Sequence, residues 1–467
     1  MLSKHPWAKA IAMPEGAFIL PKKGETKLNK KDLKERVCKV IDGRADHIIG
    51  IGKNIYDNPE LGYKENFATK LILDEFKGLG LITKENIAVT GCKGFISSKG
   101  NGPTIGVMGE LDAVICKEHK DSIEETGAVH ACGHNIQVAA MIGTAIGLVC
   151  SGVLEQLDGN VEFIGVPAEE YIELGFREKL KDEGKISFFG GKQELICIGE
   201  IDNLDISIMF HSLDMSPQGK KALIGASGNG FIGKKVQFIG KESHAGGAPE
   251  EGVNALNAAM LAINNIHAQR ETFKDEDKIR VHPIITKGGD AVNVVPADVR
   301  METYVRGKTI KGILDANLKV NRALIAGAKA VGANIKITEI PGYLPLLPNS
   351  DLDKIFKDNL SNLIDKADIE VGGELSSSFD FGDISHIMPS IHPFIGGIKG
   401  NLHTRDFKID DPYLAYIVPA KAMALTIIDL LYDGAALSKE VIDNFKPKMT
   451  KGEYIDFLHS MSKTISE

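Results

Sequence analysis

His130-Ala131-Cys132-Gly133-His134-Asn135 runs into a stretch of small and apolar residues, 136–150, that includes Ala139, Ala140, Gly143, Ala145 and Gly147. That run predicts a buried helix with Asn135 near its cap. Cys132 and His134 stand two residues apart, so in an extended segment both side chains project to the same side. There a thiolate and an imidazole could hold one divalent ion or bridge two. A free thiol beside a loop histidine is the plainer alternative for this pair taken alone.

Working outward, the neighbouring segments read as alternating helices and strands. Residues 31–52 and 65–79 have helical periodicity, joined through the turn Asn58-Pro59-Glu60-Leu61-Gly62-Tyr63. Residues 95–98 and 104–111 read as a hairpin around Gly100-Asn101-Gly102, and 161–166 and 206–210 as short buried strands. The alternation predicts an α/β sheet. Asp112 stands at the end of one strand, Glu169 and Glu170 follow the next after Pro167-Ala168, and His211 ends the 206–210 run. In open α/β sheets ligands bind beyond the carboxyl ends of strands. Each residue alone also reads as an exposed acid or a satisfied histidine; three strand ends carrying metal-competent side chains point to a site. His403, in Gly400-Asn401-Leu402-His403-Thr404, can complete it if the sheet resumes late in the chain.

From residue 225 the texture changes. Strand patterns at 233–240, 279–286, 298–305 and 334–340 surround helical patterns at 252–270 and 310–331. This β-α-β-β-α-β order is that of a ferredoxin-like module. It predicts three segments: a first α/β part over 1–224, an inserted domain over 225–341 and a second α/β part over 342–467.

Composition limits the function classes. A net charge of −8 with interspersed lysines and acids predicts no nucleic-acid partner. No stretch reaches about 18 uncharged apolar residues, so no membrane span is expected. Residues 1–23, broken by Pro6, Pro14 and Pro21, lack the apolar core of a signal peptide. Six cysteines without disulfide spacing read as reduced thiols, and the expected compartment is the cytoplasm.

Six motifs together resemble one family: Asn58-Pro59-Glu60-Leu61-Gly62, Gly109-Glu110-Leu111-Asp112-Ala113, residues 130–135, Pro167-Ala168-Glu169-Glu170, Ser243-His244-Ala245-Gly246-Gly247-Ala248-Pro249, and Ala291-Val292-Asn293-Val294-Val295-Pro296. In order and spacing they are similar to the dinuclear metal-dependent amidohydrolases and peptidases, which include aminoacylases, auxin-conjugate hydrolases, aminobenzoyl-glutamate hydrolases and dipeptidases. The wording resembles the branch with a cysteine ligand. The resemblance implies a zinc-peptidase-like α/β catalytic domain with an inserted ferredoxin-like α+β domain that serves as lid and dimerisation surface.

By the same resemblance, Cys132, His134, Glu170, His211 and His403 would ligate two divalent ions per subunit, zinc or manganese. Glu169 would be the general base, and His244 a stabiliser of the oxyanion, often across a dimer. Asn293 and Arg306 would grip a substrate carboxylate, and Asp112 and Asp383 would orient ligating histidines. The implied reaction is hydrolysis of the amide bond of a dipeptide or N-acyl amino acid by a homodimer. A deaminase or carbamoyl hydrolase using the same metals, and a non-catalytic dimeric binder, are the alternatives. Two departures stand out. Asn135 and Gln137 occupy positions where many relatives have aspartate and a further histidine, and Glu110 stands where distant relatives place a ligating histidine.

Overall fold

The computed structural model describes residues 28–98 and 102–467, and they divide into two compact units. The first runs to Ala226 and resumes over Pro348–Gly373 and Met388–Pro447. The second comprises Ser227–Leu347, Glu374–Ile387 and Lys448–Glu467. The sequence reading puts the inserted domain at 225–341; the second unit's first segment is Ser227–Leu347. The unit also recruits two later segments, 374–387 and 448–467, that the sequence reading assigns to the second α/β part.

The first unit is built on helix His134–Cys150, of whose 17 residues 15 are buried. A helix that is apolar all round must be covered on every side. Strand Thr104–Glu110 and helices Lys30–Gly43, Ala45–Tyr56 and Val418–Leu431 cover it. Among the described residues one helical segment, Tyr413–Leu431, is long and apolar enough to cross a membrane, but 94% of its 18-residue apolar window is buried inside the protein. Its apolar surface is spent on this core.

The main sheet of the first unit has six strands, in the order Ile82–Ile87, Gly91–Ser97, Asn160–Val166, Thr104–Glu110, Ile206–Ile208 and Ser390–Ile391. The last four are mutually parallel; the first two are antiparallel to their neighbours. The expected hairpin of 95–98 with 104–111 does not form. Asn160–Val166 lies between them, pairing Gly91–Ser97 on one side and Thr104–Glu110 on the other. Every residue of Thr104–Glu110 is buried, the mark of a central strand covered on both faces rather than one arm of a surface hairpin. Residues 99–101, most of the expected turn, lie outside the described residues, as do residues 1–27. A smaller sheet orders Ile369–Val371, Ala222–Ile224, Phe394–Ile395 and His211–Ser212.

The second unit has the expected ferredoxin-like order. Strands Gly230–Ile239, Ile284–Lys287, Asp298–Gly307 and Asn334–Pro341 alternate with helices Ala255–Ala268 and Ile310–Lys329. Asp298–Gly307 and Asn334–Pro341 both pair antiparallel with Gly230–Ile239. The C-terminal strand Lys463–Ser466 adds antiparallel to Asn334–Pro341 and covers that edge of the sheet. In the layer between sheet and helix, Lys234 Nζ donates to Glu339 at 2.7 Å and to Asn321 at 2.6 Å, both partners on the other elements. Severing a buried charge pair costs about 3–5 kcal/mol, against 0–1 for the exposed pairs elsewhere, so this contact fixes how helix and sheet pack.

Candidate metal centre

Four segments of the first unit deliver metal-competent side chains to one place. Cys132 and His134 come from the turn into the buried helix, Glu169 and Glu170 from the segment after Asn160–Val166, His211 from strand His211–Ser212, and His403 from the loop after Ile398–Lys399. Ligand atoms of Cys132, His134 and His211 lie within 4.8 Å of one another, and so do those of Cys132, Glu170 and His403. The five residues thus form two three-donor groups that share one sulfur.

Local backbone makes this convergence possible. Gly133 has φ +85°, and a Cβ there would sit 2.1 Å from Ser212 Oγ, so both conformation and space demand glycine between the two donors. The helix starts at His134 with Gly133 as its cap. Asn135 is therefore not the cap; its side-chain amide donates to Gly52 O and Tyr416 Oη, each at 3.1 Å. Two non-glycine residues adopt left-handed backbone at the centre, Ala168 with φ +54° and His403 with φ +61°. Strain of that kind, roughly 1–3 kcal/mol per residue, persists where surrounding contacts over-determine a site.

The imidazoles are oriented. His134 Nδ1 lies 2.8 Å from Asp112 O and 3.2 Å from Asp112 Oδ1, and His211 Nδ1 lies 2.8 Å from Ser212 O. A ring nitrogen facing a carbonyl oxygen carries the proton, which leaves Nε2 of both rings as the lone-pair donor. His211 Nε2 is 3.5 Å and His403 Nε2 3.3 Å from Cys132 Sγ, and His403 Nε2 is 2.9 Å from Glu170 Oε1. Such separations suit donors arranged about ions with bonds of about 2.0–2.3 Å. Asp112 also accepts the Glu170 N–H at 2.8 Å, so one carboxylate orients a ligand from each group.

Electrostatics agree with this donor set. Burial and the Glu170 charge push the Cys132 thiol up, but His134, His403 and His211 outweigh them and bring it down to about 6. Burial likewise raises Glu170, and His403 and His134 overcome it, holding the carboxyl down to about 2. The charge of Glu170 raises the imidazole of half-exposed His403 despite its desolvation. Burial opposes protonation of His134 and His211, yet Cys132 and Glu110 carry both above the usual imidazole range. The protons on these rings occupy the places metal cations would take. Soft sulfur, imidazole nitrogen and carboxylate oxygen together fit zinc or manganese.

Sequence reasoning missed a third cluster beside these two. Glu110, His134 and Glu169 also bring ligand atoms within 4.8 Å of one another. Glu110 Oε2 is 3.1 Å from His134 Nε2 and accepts from Gln137 Nε2 at 2.8 Å, while Oε1 accepts from the fully buried Lys192 at 2.5 Å. Gln137 returns the contact, its carbonyl accepting the Glu110 N–H at 3.2 Å. Gln137 is thus the partner of Glu110. The departures at Gln137 and Glu110 are therefore one feature, and their joint occurrence 27 positions apart was the available signal.

The remaining predicted residues lie in the second unit. His244 and Asn293 meet there: Asn293 O accepts the Ala245 N–H at 3.0 Å, and both residues are exposed. His244 Nδ1 accepts the amides of Gly246 and Gly247 at 3.2 and 2.9 Å, which fixes the tautomer and leaves Nε2–H as a free-facing donor. Arg306 is on strand Asp298–Gly307, its guanidinium near the rings of Phe231 and Tyr304 at 5.6 and 5.3 Å. Asp383 is in helix Phe381–Ile387 of the same unit and accepts from the Tyr454 hydroxyl at 2.8 Å.

Comparison with known proteins agrees with this layout. Residues 227–336 match the peptidase dimerisation domain. The chain is 28% identical over 451 residues to Xaa-Arg dipeptidase of Homo sapiens, covering 91% of this chain and 94% of that protein. It is 23% identical to an IAA-amino acid hydrolase of Arabidopsis thaliana, covering 84% and 88% respectively. A dinuclear metal-binding peptidase of Bacillus subtilis superposes with a TM-score of 0.61 at 18% identity, over 84% of this chain and 99% of that one. The matched proteins are a dipeptidase, an amino-acid-conjugate hydrolase and a metal-binding peptidase, and the chain shares their fold, a zinc-peptidase-like α/β part with an inserted dimerisation domain. Enzymes of this class act on C–N amide and peptide bonds.

Proposed function

We propose that this protein hydrolyses the amide bond of a dipeptide or an N-acyl amino acid, with Cys132, His134, Glu170, His211 and His403 holding two divalent ions, zinc or manganese. The observation that carries the reading is the pair of three-donor groups sharing Cys132, with Glu169 next to Glu170 in sequence. Bound divalent ions would polarise the scissile carbonyl and lower the pKa of the attacking water. Glu170, with Oε1 2.9 Å from His403 Nε2, is assigned to metal, while Glu169, with Oε2 3.8 Å from His134 Nε2, is assigned to take the proton from that water and deliver it to the leaving amine. We assign the oxyanion donor to His244, whose Nδ1 is committed to two backbone amides and whose Nε2–H faces outward. Asn293, beside it, and Arg306 are assigned to the substrate carboxylate.

A dipeptidase and an amino-acid-conjugate hydrolase among the relatives support a small substrate with an amino-acid moiety. The match at 227–336 supports a homodimer formed through the inserted domain. Six cysteines without a disulfide support a reducing, cytoplasmic location. The test is metal analysis of purified protein, then a screen of dipeptides and N-acyl amino acids with and without chelator. Hydrolysis that chelation abolishes is expected; full activity in metal-free protein would contradict the assignment.

A further inference from the structure

Glu169 is useful only if its carboxylate is held still, and the segment that carries it, 167–171, has no regular secondary structure. Buried charged side chains hold it instead. Arg177, in helix Leu174–Asp182 and only 1% exposed, donates from Nη1 to Ala168 O at 3.2 Å and to Phe189 O at 2.6 Å, and from Nη2 to Glu170 O. Glu65 accepts the Ala168 N–H at 2.8 Å, and Asp112 accepts the Glu170 N–H at 2.8 Å. Both neighbours of Glu169 are thereby fixed at N–H and at C=O.

The arginine is itself seated. Its guanidinium lies 5.5 Å from the Tyr63 ring and 5.7 Å from the Tyr171 ring. A Cβ at Gly62 would come within 2.7 Å of Nη2 and 3.0 Å of Ala168 Cα. The Asn58–Gly62 motif, which none of the assigned chemistry uses, thus leaves the space through which Arg177 reaches the loop. The rigid guanidinium fork serves three carbonyls from two separate nitrogens, whereas a lysine would have to reach all three from one.

We propose that Arg177, admitted by Gly62, is the positioning residue for the general base Glu169, holding Ala168 in its left-handed conformation and the Glu169 peptide in register. This rests on the hydrolase reading above. Displacement of a catalytic group by about 1 Å costs on the order of 10²-fold in rate. At saturating metal, Arg177→Met should therefore lower kcat by about 10²-fold, with KM and bound metal within about twofold. Arg177→Lys should recover part of the loss, and Gly62→Ala should reproduce part of it.

Leu180→Ala, a buried truncation in the same helix, serves as the stability control: it should lower Tm while leaving kcat unchanged. Hydrogen exchange over 166–172 supplies a readout independent of activity, with protection lost in Arg177→Met and kept in Leu180→Ala. If Arg177→Met does not fold, Arg177→Lys and Gly62→Ala carry the same comparison. Unchanged kcat and unchanged exchange in these variants, beside an active wild type, would overturn the proposal. A metal-loaded wild type inactive on the whole amide panel would overturn the hydrolase reading, and exchange over 166–172 would still decide whether Arg177 holds the loop.

Discussion

The two regions to which chemistry is assigned are built in opposite ways. In the first unit Cys132, His134, Glu169, Glu170 and His211 are all 7% exposed or less, and hydrogen bonds tie their rings and backbone to Asp112, Ser212 and one another. In the second, His244 and Asn293 are exposed and held by backbone contacts of a short turn. A buried cluster of charges survives only if each member has a partner, so its geometry is set before any ligand arrives. An exposed histidine carries no such requirement, and its environment is completed by whatever docks on it. Metal binding should therefore be tolerant of changes in the second unit, and turnover should be sensitive to both.

That contrast can be broken in graded steps. Glu169→Gln has the largest expected effect: turnover should fall by roughly 10² to 10⁴ with metal content retained, whereas Glu170→Ala should lose metal. Equal metal loss in the two variants would contradict this division of roles between the neighbouring acids. His244→Ala should cut kcat by about 10² without changing metal content or Tm, the usual size for one oxyanion donor. If the histidine acts on a partner's site, mixing His244→Ala with Glu169→Gln subunits should restore part of the activity, since some hybrid sites then hold both native groups. Asp112→Asn should weaken metal affinity by about 10- to 100-fold, because it disturbs His134 and the Glu170 amide together.

The smallest effect concerns pH. Against burial, Cys132 and Glu110 raise the imidazoles of His134 and His211, and Glu170 and Cys132 raise that of His403, so protons compete with metal for these nitrogens. Metal affinity should rise with pH from mildly acidic to neutral buffer, measurable by titration calorimetry; affinity that rises on acidification would contradict the proposed donors.

Much of this molecule was legible before its coordinates. The ferredoxin-like order could be read because its strands and helices switch period cleanly, and the convergence of Asp112, Glu169, Glu170 and His211 because acids and histidines follow apolar runs at strand ends. The hairpin reading failed because a two-strand pattern cannot reveal that Asn160–Val166 pairs between Gly91–Ser97 and Thr104–Glu110. Lys192 and Arg177 went unnoticed for a related reason: a lone cation in a helical pattern reads as solvated, and only the fold shows each one fully buried against Glu110 or the carbonyls of 168 and 170. The C-terminal strand was hidden too, since Lys463–Ser466 has no apolar run and owes its place to pairing with Asn334–Pro341.

The central claim is that a single sulfur serves both metal positions. Metal content per chain, measured by mass spectrometry after dialysis against limiting metal, tests it in three variants. His211→Ala removes a donor from one group only and His403→Ala from the other only, so each should retain about one ion where the wild type holds two. Cys132→Ala removes a donor from both groups and should retain less than either. Two ions per chain in Cys132→Ala, or a loss no greater than in the histidine variants, would contradict the shared-thiolate arrangement.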